Sequence, residues 1–248
     1  MNEMIKTQLN HRTIREFKAC KVNQTDLENI LNVINRTANS MGMQSFSVIR
    51  VTDRDLRKRL SKVTNQEYII RVPELLIFIV DLYRNNEIAK EMGVEKSFGS
   101  DMDRFFQGFS DAILAAQNAI NAIEAMDMGA VFFGSILNDP FKVVEILKLP
   151  KLTFPALGLG FGVPNQEPQL KPRMDLKLKV FENEYKTFDN YLEEIEEYDK
   201  EMKKYYDLRN TKKPLDAFSE QIADRFSKRD DLRANILDYI KEQGFQFK

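Results

Sequence analysis

Apolar residues along the chain recur first at helical spacing, then in short unbroken runs, and the exchange between the two patterns marks out the elements. Residues 2–10 carry a weak helical pattern through Met4, Ile5 and Leu9. A stronger helix begins near Thr25, an N-cap with Glu28 three residues on, and its stripe is Leu27, Ile30, Leu31 and Ile34. "NSMGMQ" (39–44) reads as a loop and "SFSVIRV" (45–51) as an alternating strand. A helix capped by Thr52 or Asp53 follows, and "PELLIFIVDLY" (73–83) is apolar enough to be a strand buried on both faces.

The clearest helix spans 102–128, with Phe106, Phe109, Ile113, Ala116, Ile120 and Ile123 at steps of three or four and alanines between them. Such a pattern predicts a central buried helix, stopped by Gly129. "AVFFGS" (130–135) then runs extended into a turn, a helix covers about 138–148, and "TFPALGLGFG" (153–162) is a further buried strand. From residue 181 the chain becomes highly charged. Its apolar positions narrow to one seam, Phe188, Leu192, Ile195, Tyr198, Met202 and Tyr205, which suits a helix laid on another surface. Two more amphipathic helices are expected at about 215–227 and 232–243. The expected organisation is a core over 1–180 and a helical arm over 181–248, part of the same domain, that embraces a second subunit.

Composition narrows the chemistry. The net charge of −1 lacks the basic excess of a nucleic-acid binder, so nucleic acid is not an expected partner. The longest apolar run, "LLIFIV" (75–80), is of strand length, and the N-terminus has no apolar core of signal-peptide length, so no membrane association is expected. The single cysteine, Cys20, rules out an intrachain disulfide and points to a reducing cytoplasm. One histidine and one cysteine leave no multi-histidine or thiolate metal site. The scarcity favours a bound cofactor as carrier of the difficult step.

Three stretches invite a ligand. "GLGFG" (158–162) imitates a dinucleotide turn, but Pro164 and Pro168 follow and no helix starts in its glycines, so it reads as a strand of small residues. "HRTIREF" (11–17) places His11, Arg12, Thr13 and Arg15 within five positions, a set that matches phosphate oxygens; by itself it reads as a solvated basic turn. "LKPRMD" (170–175) adds Lys171 and Arg173 around Pro172, in a loop after a buried strand.

Taken with "VIRVTD" (48–53), "AAQNAINAIEAMDMGAVFFGSILND" (115–139), "LKLPKLTFPALGLGFGVP" (147–164), "YYDLRN" (205–210) and "FSEQI" (218–222), these motifs resemble the oxygen-insensitive nitroreductase family, in its NADPH-dependent flavin reductase branch, over essentially the whole chain. The resemblance implies an α+β nitroreductase-like fold with a central mixed sheet flanked by helices and a C-terminal arm exchanged in a homodimer. It implies FMN as cofactor and NADPH as electron donor. His11, Arg12, Thr13, Arg15, Lys171 and Arg173 inherit contacts to the FMN phosphate and ribityl chain. Asn39, Ser40, Gln66, Phe133, Gly134 and Ser135 inherit contacts to the rest of the flavin. Arg209 corresponds to an arginine for the NADPH 2′-phosphate, and Met41, Gly42 and Arg233 to the substrate pocket.

The expected activity is two-electron transfer from NADPH to nitroaromatics, quinones or related planar acceptors, in a ping-pong cycle without a side-chain base. Free-flavin reduction and a flavin-holding or redox-sensing role are the alternatives. The chain departs from the family pattern at "TANSMGMQ" (37–44), where Met41 and Gly42 replace a hydroxyl and an aromatic. Phe218 stands for a common tryptophan and Ser135 for a common glycine. The change at 37–44 is expected to alter substrate preference and spare FMN binding, that at Phe218 to alter packing at the arm, and that at Ser135 to keep the backbone amide while adding a side chain beside the flavin.

Overall fold

The structure, a computed structural model, describes residues 1–208, 213–231 and 233–246. In chain order its elements are α1 (Glu3–Leu9), α2 (Gln24–Asn35), β1 (Phe46–Arg50), α3 (Arg54–Thr64), β2 (Glu74–Asp81), α4 (Tyr83–Glu91) and α5 (Met102–Ala125). Then come β3 (Gly129–Phe133), α6 (Pro140–Leu147), β4 (Thr153–Gly162), α7 (Tyr191–Glu194), α8 (Glu196–Met202), α9 (Phe218–Phe226) and α10 (Ile236–Glu242).

The strands form one sheet in the order β1-β2-β4-β3, antiparallel at every pair. That differs from the mixed sheet expected. The connections from β1 to β2 and from β3 to β4 each leave and re-enter at the same end of the sheet, which forces antiparallel pairing. Parallel pairing enters through isolated bridges, Thr13 with Ala130 and Asp101 with Gln246.

Every residue of β2 is buried, and its side chains divide by the two-residue period of a strand. Leu76 and Phe78 join α2 and α5 in one apolar cluster, with Ala156 and Phe161 of β4. Leu75, Ile77 and Ile79 face the other way and join Leu60 of α3 and Val143 of α6. Helices therefore cover both faces, and β2 is a continuous apolar run because neither side meets water.

On α5 the buried face is Phe105, Gly108, Asp111, Ala112, Ala115, Ala116, Ala119, Ile120 and Ile123. The small residues let the helix approach the sheet closely; a Cβ at Gly108 would lie 2.7 Å from the Ser45 carbonyl oxygen. Three expectations are corrected here. Phe106, placed in the buried stripe, is 62% exposed, and Phe105 takes the inward position. Gly129 does not stop the helix: Met126 is the C-cap, Asp127 turns the chain with φ 56°, and Gly129 opens β3. The N-cap of α2 is Asn23, not Thr25, because the Asn23 side chain accepts from the Thr25 N–H. Asp53 caps α3 as expected, accepting from the Asp55 and Leu56 N–H groups.

Arg57 of α3 locks the loops at one end of the sheet. Its buried guanidinium donates to the carbonyls of Val51 (2.8 Å), Val72 (2.5 Å) and Pro73 (3.3 Å). Burial lowers its pKa from the ordinary arginine value, with Glu74 pulling the other way. Glu74 in turn takes a two-pronged contact from Arg50, at 2.8 and 2.7 Å, which raises the Arg50 pKa.

Contacts divide the chain into one unit of 1–166 with 231–248 and a second of 167–230. The division differs from the expected one at 180, because residues after 231 return to the first unit. There Ile240 and Phe245 pack with Val80, Leu82, Phe105 and Phe154. In the second unit the seam expected as one helix breaks at Ile195, where α7 ends and α8 begins. Ile195, Met202 and Tyr205 of that seam are buried, whereas Leu192 is 65% exposed. Phe181, Tyr185, Phe188 and Tyr191 form a chain of ring contacts, and Tyr198 lies 5.3 Å from Phe218. Asp199 accepts from the Ser219 N–H at 3.0 Å and so ties α8 to α9.

The segment 11–18 lies along the edge of the sheet. The Ile14 N–H donates to the Ala130 carbonyl (2.9 Å) and the Lys18 N–H to that of Val163 (2.9 Å), while Asn165 returns a bond to Glu16. Ile14 is buried directly over Gly129, where a Cβ would stand 2.7 Å from the Ile14 Cβ, too close for both to stay. Gly129→Ala is therefore expected to lower stability by about 1–3 kcal/mol in urea unfolding, through overpacking against a branched side chain. A change within about 0.5 kcal/mol, the ordinary range of a neutral surface substitution, would contradict that close approach.

Candidate functional site

The edge of β3 organises the residues singled out from sequence. Thr13 is bridged to Ala130, and its carbonyl accepts from the Gln166 side chain at 3.5 Å. Ile14 turns inward, so the polar residues on either side of it stay at the surface of this edge. His11 Nδ1 lies 2.6 Å from Oε1 of Glu124, in the last turn of α5. Arg12 reaches the Asn10 carbonyl through Nη1 at 3.3 Å, but its Nε is buried without a hydrogen-bond partner among the described residues. Arg15 is half-buried. Arg12 and Glu124 also line a cleft of about 500 Å³ with Glu3, Lys6, Asp127 and Gly129.

At the far end of β3 a second group assembles. Phe133 is fully buried, and the Tyr68 ring lies against it at 5.4 Å. The Tyr68 hydroxyl donates to Oε1 of Gln66 at 3.0 Å, so the glutamine and the Phe133 segment are neighbours through one tyrosine. After Phe133 the chain enters a tight 3-10 turn over Gly134–Asn138. A Cβ built on Gly134 would meet nothing within 4 Å, so the backbone there faces open space. Ser135 Oγ is buried and has no partner among the described residues. Arg233 donates to the Gly134 carbonyl at 2.9 Å and to Oδ1 of Asn138 at 3.2 and 3.3 Å. Its guanidinium is thus spent partly on backbone, not wholly presented to a pocket. Beside Asn138, Arg59, Lys62 and Lys142 line a cleft of about 480 Å³, with Lys142 paired to Asp139 (3.1 Å) and Arg59 to Glu145 (3.3 Å).

The segment 39–44 is held elsewhere. Asp111, fully buried on α5, accepts from the Ser40 N–H (2.8 Å) and the Ser45 N–H (3.2 Å). Asn39 accepts from the Gln44 N–H, Asn85 donates to the Met43 carbonyl, and Arg84 to that of Gln44. The loop is correspondingly contorted: Met41, Gly42 and Gln44 all take left-handed φ angles, of 54°, 74° and 50°. Glycine adopts that conformation without strain, and Met41 does so with its side chain 71% exposed. This loop enters β1, at the opposite edge of the sheet from β3, so three strand spacings, about 14 Å, separate it from the Phe133 turn.

Lys171 and Arg173 belong to the second unit. Arg173 donates to the carbonyls of Lys171 (3.1 Å) and Pro172 (3.3 Å). Burial raises the Tyr198 pKa, and the charge of Arg173 acts against that rise. Arg209 lies outside the described residues.

Four residues of these clusters were not picked out from sequence: Tyr68, Asp111, Glu124 and Asn138. Asp111 and Glu124 did leave a signal. Both are carboxylates in a helix whose alanine-rich pattern otherwise predicts burial, and a buried carboxylate needs donors. Tyr68 and Asn138 act through contacts that no spacing reveals. Among the described residues no group of three or more His, Cys, Asp or Glu could hold a metal ion, and no helix is long and apolar enough to cross a membrane.

Comparison with known proteins bears on the whole chain. Residues 9–163 match the family model described as the nitroreductase family, and residues 171–248 match its C-terminal domain. The gap between the two matches contains the boundary at 166–167 between the two units. The chain is 32% identical over 246 residues to an oxygen-insensitive NADPH nitroreductase of Salmonella typhimurium, covering 99% of both chains. It is 32% identical over 248 residues to an FMN reductase (NADPH) of Bacillus subtilis, again covering 99% of both. The solved structure of nitroreductase A from Vibrio parahaemolyticus superposes with a TM-score of 0.88 at 32% identity, with 100% of each chain covered. That of an NADPH:FMN oxidoreductase from Vibrio harveyi complexed with NAD+ superposes with a TM-score of 0.87 at 29% identity, also over 100% of each. In sequence, in the order of its motifs and in fold, this chain belongs to the nitroreductase family.

Proposed function

We propose that this chain is an NADPH-dependent FMN oxidoreductase that passes two electrons to nitroaromatics, quinones or related planar acceptors and acts in the cytoplasm. The observation that carries the proposal is a pair of buried polar atoms without partners among the described residues, Arg12 Nε and Ser135 Oγ, on segments that β3 joins. An orphaned buried donor is costly by itself, by about 1–3 kcal/mol, and a ligand that satisfies it recovers that cost. From Ala130 to Phe133 the strand covers about 10 Å. One end of that span carries His11, Arg12, Thr13 and Arg15, and the other carries Gln66, Phe133, open backbone at Gly134, and Ser135. A cofactor with an anionic phosphate at one end and a flat ring at the other fits this division of chemistry.

FMN, when bound, supplies the hydride chemistry, taking two electrons from a nicotinamide and giving them to an acceptor. The chain's own residues bind and orient. The cationic cluster of 11–15 holds the phosphate, and Lys171 and Arg173 are assigned to it by resemblance. Amide donors of the Gly134 turn favour negative charge on the ring, reinforced because the Arg233 guanidinium polarises the Gly134 peptide. No side chain is required as a base, so donor and acceptor can occupy one place in turn, a ping-pong cycle.

The separation of Asn39, Ser40, Met41 and Gly42 from the Phe133 turn by the width of the sheet supports a homodimer. In such a dimer the 39–44 loop of one copy completes the site of the other, and the 181–230 helices form an exchanged arm. Exposed Phe106 (62%), Leu114 (51%) and Met43 (50%) are apolar surface for a second copy to cover.

Purified protein is expected to be yellow, and anaerobic NADPH should bleach it within about a second at a rate in the common range of enzyme turnover. A yellow protein that stays oxidised with both NADPH and NADH would instead be a flavin-holding or redox-sensing protein. Arg15→Ala and Arg173→Ala are each expected to weaken FMN binding about 10- to 100-fold, the loss of one charge-assisted hydrogen bond, as followed by flavin fluorescence. An unchanged dissociation constant in either variant would remove that residue from the site. Arg209→Ala should raise the NADPH KM and leave the NADH KM nearly untouched.

A further inference from the structure

Glu124 is a carboxylate for which the chemistry above has no use. It sits in the last turn of α5 with its side chain 10% exposed, and its Oε1 is 2.6 Å from Nδ1 of the one histidine in the chain. The imidazole itself is 33% exposed, so Glu124 does not cover the whole ring. With Glu124 ionised, its carboxylate only accepts hydrogen bonds, and the proton between the two then belongs to Nδ1. The nitrogen left for a ligand is Nε2.

That arrangement has a consequence for an anion. A ring with Nδ1 spent on Glu124 meets a phosphate oxygen through Nε2, and it holds the oxygen only as an N–H donor. The bound state is then an ordered row of carboxylate, imidazolium and phosphate, with Glu124 as the counter-charge behind the ring. The backbone is fixed independently, because three residues on, Ile14 is hydrogen-bonded to Ala130 and packed on Gly129. What remains free at His11 is the rotation of its ring, and Glu124 removes it. The cleft that Glu124 lines also carries Glu3, Lys6, Arg12 and Asp127, two charges of each sign.

We propose that Glu124 is a positioning residue for the cofactor phosphate: it holds the His11 ring with Nδ1 turned to the helix and Nε2 turned to the phosphate. The proposal rests on His11 being a phosphate ligand, and the test separates the two. Untagged protein labelled with ¹⁵N-histidine gives a single imidazole, and FMN and riboflavin affinities are measured by flavin fluorescence for wild type, Glu124→Gln, His11→Asn and the double variant.

In the FMN complex of the wild type, both ring nitrogens are expected to carry protons. Glu124→Gln keeps an acceptor for Nδ1 but removes the counter-charge, so FMN affinity should fall roughly tenfold, the size of one charge-assisted hydrogen bond, while riboflavin affinity stays. The double variant should lose little beyond His11→Asn, since the two residues act as one unit. A loss in His11→Asn with none in Glu124→Gln would overturn the role of Glu124 and spare that of His11. An unchanged FMN-to-riboflavin ratio in both variants would remove His11 from the phosphate and the proposal with it. Equal weakening of FMN and riboflavin would make Glu124 a structural support and overturn the proposal. Should Glu124→Gln fail to fold, an unprotonated Nδ1 in the wild-type spectrum contradicts it directly.

Discussion

At Ala130 the edge strand β3 gives its carbonyl oxygen to the Ile14 N–H, and one residue earlier the missing side chain of Gly129 lets Ile14 settle on the strand itself. The hydrogen bond is worth about 1 kcal/mol net, whereas burying the isoleucine is worth about 1.5–3 kcal/mol, so packing is the stronger half of the clasp. Everything proposed for the phosphate end depends on it. The clasp converts a flexible run of polar residues into a fixed row along a sheet edge, with Arg12, Thr13 and Arg15 flanking the buried residue. The same strand, three residues later, delivers Phe133 and the turn at Gly134. One edge strand thus sets the distance between the two ends of the proposed site.

A second constraint acts at the other edge. Asp111 is a buried carboxylate that accepts from two backbone N–H groups of the loop entering β1, and Arg84 and Asn85 take its carbonyls. These bonds hold three left-handed φ angles within 41–44, at Met41, Gly42 and Gln44, two of them at residues other than glycine. Met41 and Gly42 thus stand on a backbone that Asp111 of α5 holds through main-chain N–H groups.

Much of the fold was legible because burial imposes periodicity. β4 fills 153–162 as its apolar run predicts, and α5 follows its alanine pattern, since those residues face a packed interior. What periodicity could not decide was which of two adjacent aromatics turns inward, so Phe105 and Phe106 exchanged places. Nor could it show that the seam over 188–205 breaks at Ile195, where Asn190 caps one short helix and a second begins. The candidate site was legible only as charged motifs that stand out against a near-neutral chain. Its supporting residues were not. Tyr68 links Gln66 to Phe133, and Asn138 shares Arg233 with a carbonyl, by contacts that exist only once the sheet has formed.

Segment 11–15, clasped on β3, is proposed as a phosphate site, with the ring of the cofactor towards Gly134. Comparing the affinities of the wild-type apoprotein for FMN and for riboflavin, which differ by the phosphate alone, tests it most directly. Two charge-assisted contacts predict FMN to bind at least about a hundredfold more tightly, with the advantage shrinking as salt is raised. Equal affinities for the two flavins would contradict the account.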